Sequence, residues 1–402
     1  MKRLLAFCLF FAVSTFGFVQ EAKPLRVLFI GNSYTYYNNL PELVAGLAAA
    51  SGVKIETHMV AHGGATLGQT WDIDDVFQVL HDGKWDYVVL QEHSQLGTRY
   101  VDGVQELNDP GHFWETIRMY EAEIRKVHAK TVLFLTWARK SDPSQQPALN
   151  YAYMTIAQEL GLTVAPVGMA WARAREAEPY MALHVADGSH PSPTGSYLAA
   201  CVLADTILGR RLTGLPARIV GHPMNNRLDQ LDFAHTADLV NLPPERAEWL
   251  QRVGGEAWQR VAEAGGWIVT PKPAPLALSR LSLPPGHKPA QKELSGVWKG
   301  RMSFYTWPSM MELKLSAPDP DHCVGEWIVT STDGERKLAG PIDSCKLTDT
   351  GIAFLVRDYR GLAMSESYWA HYTGDSLVGW VEYRGLTKSA HMSGSWELHK
   401  EH

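Results

Sequence analysis

Through the first half of the chain, short apolar runs alternate with longer stretches in which apolar residues recur every three or four positions. The runs are Val27–Ile30, Lys54–Val60, Tyr87–Gln91, Thr131–Thr136 and Thr163–Val167. Their length and β-branched content predict strands. Val27-Leu28-Phe29-Ile30 is apolar without a break, the pattern of a strand covered on both faces. The longer stretches are Leu40–Ala50, a segment within Thr70–Leu80, Trp114–Val127, Leu149–Glu159 and Tyr197–Leu208, and they predict helices. Strands and helices taking turns in this way predict an α/β fold, a doubly wound parallel sheet with helices on both faces. Right-handed crossovers then gather the carboxyl ends of the strands at one edge, where open parallel sheets form their ligand crevice. Helical character is expected to continue over about residues 215–270, where Pro243-Pro244-Glu245 opens a run with Ala247, Leu250, Val253, Ala257 and Val261 at helical spacing.

The texture then changes. Pro271-Lys272-Pro273-Ala274-Pro275 and Pro284-Pro285-Gly286 make residues 271–293 a stiff, extended connector. Residues 294–402 read as short strands and turns. The strands are Met311–Leu315, Gly325–Thr330, Gly351–Arg357, Ser367–His371, Leu377–Tyr383 and Met392–Leu398, with turn signals at Asp333-Gly334 and Thr373-Gly374-Asp375. This spacing predicts an antiparallel β-barrel or sandwich as a second domain. Trp298, Trp307, Trp327, Trp369, Trp380 and Trp396 punctuate it. Their expected role is a tryptophan-rich core, and the alternative is a surface for stacking sugar rings.

Residues 1–20 stand apart from both domains. Lys2 and Arg3 precede the apolar run Leu4–Val13, and small or polar residues follow, as in a secretory signal. The run is too short to span a bilayer stably. Phe7 before Cys8 does not fit a lipid-anchor signal. A secreted or periplasmic protein is expected, with 23–270 as its first folded domain. That context favours oxidation of Cys323 and Cys345 to a disulfide closing a loop of about 22 residues, whereas Cys201 lies in a helical pattern and reads as a buried free thiol.

Composition narrows the partners. The chain has 402 residues, more than one ordinary core, with 37 basic against 43 acidic side chains and a net charge of −6. A nucleic-acid surface would need a basic excess or stripe. No H-E-x-x-H or paired-cysteine spacing suggests a metal, and no cofactor is expected.

Two stretches carry candidate chemistry. In Gly31-Asn32-Ser33 a glycine ends the first apolar run and is expected to turn the backbone sharply, which puts Ser33 on the first loop of the predicted crevice. A serine there is either a helix cap or a nucleophile. In Asp187-Gly188-Ser189-His190-Pro191-Ser192-Pro193 a carboxylate and an imidazole lie three positions apart on a proline-stiffened loop. That spacing lets the carboxylate hold one ring nitrogen while the other faces outward, as a serine nucleophile requires. The same loop also reads as a plain helix entry.

Together these stretches resemble the SGNH, or GDSL-like, hydrolase superfamily, over roughly residues 25–210. The resemblance implies an esterase acting through an acyl-enzyme, with Ser33 as nucleophile, His190 as base and Asp187 as the partner of His190. It implies an oxyanion hole made by the backbone N–H groups of Ser33 and Gly64, the latter in Gly63-Gly64-Ala65-Thr66. The family's third block is usually G-x-N-D. Here it reads Val88-Val89-Leu90-Gln91-Glu92-His93-Ser94, so Gln91 is the expected third donor, with His93 at the position of the usual Asn. The resemblance, the secretory pattern and the extra domain point to a small-molecule or carbohydrate ester, O-acetyl groups on carbohydrate among them. An α/β-hydrolase elbow, G-x-S-x-G, fails at Thr35. The competing reading is a carbohydrate-binding protein that keeps the fold without the chemistry. Trp137 is expected as wall packing and Arg139 as a solvated arginine, with substrate contact as the alternative for both; His62 is expected as structural, and His184 as a histidine without a sequence partner. The loops Ser94–Pro110 and Lys140–Pro147 are expected at the crevice border.

Overall fold

The computed structural model describes residues 23–401 except 74, 94–95, 102–103, 108, 141, 226–229, 274–282, 305–306, 332–336, 358–364 and 385–390. The secretory pattern, Ser94, the Asp333-Gly334 turn and the middle of the connector therefore lie outside the described residues.

The first domain runs β1 (Leu25–Gly31), α1 (Ser33–Tyr36), α2 (Leu40–Ala50), β2 (Ile55–Ala61), α3 (Leu67–Ile73), α4 (Val76–Asp82) and β3 (Tyr87–Leu90). A small antiparallel hairpin, β4 (Thr98–Val101) with β5 (Val104–Leu107), follows. Then come α5 (Gly111–Lys126), β6 (Lys130–Phe134), α6 (Gln146–Leu160), β7 (Thr163–Ala165), α7 (Val167–Ala177) and α8 (Pro193–Leu208). Strands β1, β2, β3, β6 and β7 form one parallel sheet in the order β2-β1-β3-β6-β7. This is the doubly wound α/β arrangement the pattern predicts.

Alternation along β1 divides its side chains between two cores. Val27 and Phe29 join residues of α2, α7 and α8, while Leu28 and Ile30 join residues of α3, α4, α5 and α6. All four are fully buried, each burial favouring the fold by roughly 1.5–3 kcal/mol. Polar caps fix the helix starts. Ser192 Oγ accepts from Gly195 N at 3.1 Å to open α8, and Asp75 Oδ1 accepts from Gln78 N at 3.0 Å to open α4.

Several expectations need correction. The helix expected in Thr70–Leu80 is two short ones, α3 and α4, because Asp75 caps a second start. The strand expected at Thr163–Val167 stops at Ala165, since Pro166 and Val167 begin α7, a helix the apolar pattern concealed. The region 215–270 is helical only in part. It opens with β8 (Arg218–Gly221), β9 (Met224–Asn225), β10 (Gln230–Leu231) and β11 (Ala237–Asn241), paired β8 with β11 and β9 with β10. The helix α9 (Pro244–Glu263) follows, with Ala247, Leu250 and Val253 buried against the α8 side of the sheet.

A one-turn helix, α10 (Gln291–Leu294), leads into the second domain. Its strands are β12 (Gly296–Phe304), β13 (Trp307–Ser316), β14 (His322–Ser331), β15 (Lys337–Pro341), β16 (Ser344–Thr348), β17 (Gly351–Arg357), β18 (Ser365–Tyr372), β19 (Ser376–Arg384) and β20 (His391–Lys400). Every pairing is antiparallel, and contact of β13 with β14 closes the sheet into a barrel of eight strands, with β15 alongside β14. The seam between β14 and β16 is short, pairing only His322 with Lys346 and Cys323 with Cys345. Cys323 and Cys345 are disulfide-bonded at that seam, with Cα atoms 4.8 Å apart, and Cys201 is a buried free thiol in α8. Trp298, Trp327 and Trp396 are buried in the barrel core, Trp380 is buried and Trp369 half-buried. For the first three the structure favours the core role; the side chain of Trp307 lies outside the described residues. Among the described residues no helix is long and apolar enough to cross a membrane.

Candidate active site

Everything at the carboxyl edge of the sheet is built outward from the end of β1. Gly31 is the last residue of the strand, and its φ is not in the left-handed region, so the expected sharp turn is not its role. A Cβ at this position would lie 2.5 Å from both Gln91 Oε1 and Thr35 Oγ1. Glycine is required because the Gln91 carboxamide packs directly on the backbone.

Asn32 makes the elbow. Its Oδ1 accepts from Tyr34 N at 3.1 Å and caps α1, so the cap expected as one role for Ser33 falls to its neighbour. Ser33 is instead the first residue of the helix, where a backbone N–H has no acceptor within the helix. Its hydroxyl lies 2.8 Å from His190 Nε2.

The opposite wall is the loop before α8. Asp187 Oδ1 accepts the backbone N–H groups of Ser189 (2.7 Å) and His190 (2.9 Å). Asp187 Oδ2 faces His190 Nδ1 at 2.6 Å. A carboxylate there places the ring proton on Nδ1, which leaves Nε2 to accept from the Ser33 hydroxyl. Burial raises the Asp187 pKa, but the hydrogen bond and charge of His190, with the two N–H groups, outweigh it and hold the carboxyl below its ordinary value. Ser33 and His190 are buried, at 6% and 2% exposure.

Aromatic side chains fasten this loop to the elbow. The Tyr34 hydroxyl is 2.6 Å from Ser189 Oγ, and Trp137 Nε1 donates to Ser189 O at 3.0 Å. Tyr37 stacks on the His190 ring with centroids 4.1 Å apart, and Tyr34 meets it edge-on at 5.8 Å. Trp137 lies between Tyr34 (4.6 Å) and Trp171 (4.0 Å) in a continuous stack. Asn38 Nδ2 donates to Pro191 O at 3.1 Å. Trp137 is therefore wall, as expected, and also a support for the residue beside His190.

The glycine loop after β2 closes on the same elbow. Asn32 Nδ2 donates to Ala65 O at 2.9 Å, and His62 N donates to Gly31 O at 3.3 Å. Gly64 between them has φ +74°, a conformation costly for other residues. The loop is thereby fixed beside Ser33.

Gln91 is placed here too, but its amide is fully engaged. Its Oε1 accepts from Asn32 N (2.9 Å) and Thr35 Oγ1 (2.7 Å). Its Nε2 donates to Asn32 Oδ1 (3.0 Å) and Glu92 O (2.5 Å). A carboxamide has two donors and two acceptor lone pairs, so nothing remains for an oxyanion. The structure uses Gln91 as a brace of the elbow, against the expectation that it donates to the substrate.

His93, two residues on, is buried with its imidazole pKa pushed down to about 3 by burial, with the charges of Arg139 and His190 acting the same way. It is a neutral ring in the electrostatic reach of His190. Glu92, between them, is also buried, and burial pushes its carboxyl up to about 7. His184 is buried rather than facing the crevice; its Nε2 lies 3.2 Å from Ala138 O, and burial pushes it down to about 4.

Asn32, Tyr34, Tyr37 and Glu92 escaped the reading of the sequence. For Glu92 a signal existed: three polar residues, Gln91-Glu92-His93, directly continue the buried run Val88-Val89-Leu90. Buried polar residues in a row need partners, and partners at a strand end are a site's framework. Among the described residues no cluster of three or more His, Cys, Asp or Glu side chains is arranged to hold a metal ion.

No protein-family model matches the chain, and a search of curated proteins returns no match. Solved structures do show likenesses. One is a DUF4886 family protein from Bacteroides uniformis, 17% identical, covering 61% of this chain and 98% of that one, with a TM-score of 0.44. A second is a lipase/acylhydrolase from Enterococcus faecalis, 17% identical, covering 46% of this chain and 96% of that one, with a TM-score of 0.38. A third is a mutant of an acetyl-xylooligosaccharide esterase from Geobacillus Stearmophilus, 18% identical, covering 46% of this chain and 96% of that one, with a TM-score of 0.37.

Proposed function

We propose that this chain is a serine esterase of the SGNH type that hydrolyses an ester through an acyl-enzyme. The observation that carries the reading is the continuous chain from Ser33 Oγ through His190 to Asp187, with links of 2.8 and 2.6 Å. A serine hydroxyl is a weak nucleophile until a positioned base takes its proton. In this reading Ser33 Oγ bonds to the acyl carbon as its proton passes to His190 Nε2. Asp187 holds the ring in the right tautomer and stabilises the imidazolium. His190 then returns the proton to the leaving alcohol, and a water deprotonated by the same nitrogen releases the acid.

Charge develops on the carbonyl oxygen in the transition state, so donors aimed there carry much of the acceleration. The donors proposed are the backbone N–H groups of Ser33 and Gly64, with the His93 imidazole as the third. Full engagement of Gln91 supports assigning the third role to His93, whose ring burial keeps neutral. The substrate proposed is a small or carbohydrate ester, with O-acetyl groups on sugars as the class that suits a secreted enzyme with an accessory β-domain.

A fluorophosphonate probe tests the reading in one step. It should label the wild-type chain at Ser33, and Ser33→Ala should abolish both labelling and turnover of an aryl acetate. A folded wild-type chain that resists the probe while binding acetylated oligosaccharide would favour the non-catalytic alternative.

A further inference from the structure

We propose that Glu92 is a positioning residue of the oxyanion site, its carboxylate fixing the Gly64 loop and His93 at one separation. The inference rests on the esterase reading and deepens it. Glu92 sits at the end of β3 with its side chain buried at 5% exposure. Its two oxygens hold two different segments. Oε2 accepts from Leu67 N at 3.2 Å, three residues past Gly64, and Oε1 accepts from His93 N at 2.6 Å. Its own backbone N–H donates to the Tyr153 hydroxyl at 3.0 Å, which anchors the bridge to α6.

Each segment so held carries one proposed oxyanion donor, the Gly64 N–H on one side and the His93 ring on the other. A carboxylate is the group that joins them, because both of its oxygens accept. A glutamine at this place has one accepting oxygen and turns an NH2 group toward the other N–H. Burial of a carboxyl beside apolar side chains is unfavourable, and packing alone would be served by leucine or methionine. Gln91 and Glu92 thus divide the framework. Gln91 braces the nucleophile's elbow, and Glu92 sets the distance between donors.

The test compares Glu92→Gln and Glu92→Asp with the wild-type chain at pH 8, with folding checked by circular dichroism. The readouts are kcat and KM on an aryl acetate and inhibition by an alkyl boronic acid, which forms an anionic tetrahedral adduct on serine. Glu92→Gln should lower kcat by about 30-fold with KM within about threefold, and should weaken the boronic acid by a similar factor, since the donors matter to the charged oxygen alone. Glu92→Asp keeps two accepting oxygens on a shorter arm, so its kcat should fall between the two. It also serves as the folded variant if Glu92→Gln does not fold. A folded variant with wild-type kcat and boronic acid affinity, whatever its melting temperature, would overturn the proposal and leave Glu92 as a helix cap. Failure of the esterase reading looks different: the wild-type chain itself would neither turn over the ester nor react with fluorophosphonate at Ser33.

Discussion

Replacing Gln91 by leucine separates its observed role from the one the sequence suggested. Leucine is close to glutamine in volume, so the change removes polar groups more than packing. Four hydrogen bonds disappear together, two made by Oε1 and two by Nε2. The Thr35 hydroxyl can rotate, and Asn32 Oδ1 keeps Tyr34 N. The Asn32 N–H and the Glu92 carbonyl are left in a buried place without these partners. Each orphaned group costs about 1–3 kcal/mol, so the domain should lose roughly 3 kcal/mol, or about 10 °C for a fold of this size. Gln91→Glu should do at least as much harm, because its second oxygen would face Asn32 Oδ1 and Glu92 O. Thermal melts by circular dichroism, alongside turnover of an aryl acetate, provide the assay. If Gln91→Leu melts with the wild type while kcat drops about a hundredfold, Gln91 is a substrate donor and the brace argument fails.

Three further outcomes are expected. Ser33→Ala and His190→Ala should each lower kcat at least about a thousandfold in single-turnover assays, and the double variant should be little worse than either; additive losses would show that the two do not act as one unit. Asp205, buried in α8 with Oδ1 accepting Leu212 N at 2.8 Å, has its carboxyl pushed up to about 7 by burial. Its folded pKa lies above the unfolded value near 3.9, so the folded chain binds more protons between the two, and stability falls as pH rises from about 4 to 7. Asp205→Asn keeps the accepting oxygen without the charge, so in urea melts its stability relative to wild type should be greater at pH 8 than at pH 5 by about 3 kcal/mol; the same difference at both pH values would refute the assignment. Replacing Cys323 and Cys345 by serine should cost the barrel on the order of 3 kcal/mol while kcat on a small aryl ester stays unchanged; equal melts of both forms would show that the bond adds nothing.

What the sequence made legible was local. Val27–Ile30 is apolar throughout because both faces of the sheet cover it, and Asp187 and His190 meet within one short loop. Both signals lie within a few residues. The direction of the Gln91 amide was not legible, because Asn32 and Thr35 claim it across the sheet. The strand β12 was hidden for another reason. Glycines at 296 and 300 dilute its alternation, and a Cβ on Gly300 would lie 2.0 Å from Glu397 O, so the neighbouring strand requires the gap that obscures the pattern. The helix α7 begins directly after β7 with no polar break, so apolar content alone ran the two together.

The short seam of the barrel has a consequence for the protein's colloidal behaviour. Everywhere else around the ring, strands are joined by five or more paired positions, but β14 and β16 share two, and the disulfide crosses one of them. Closure therefore has one preferred place to part. A parted seam frees the side of β16 that faced β14 and the His322–Cys323 end of β14, adding unpaired backbone groups to the edge already offered by β15, which pairs only with β14. The redox state of Cys323 and Cys345 would then govern self-association of the β-domain. Reductant should bring on light scattering at temperatures where the oxidised chain stays clear, without first dismantling the serine site.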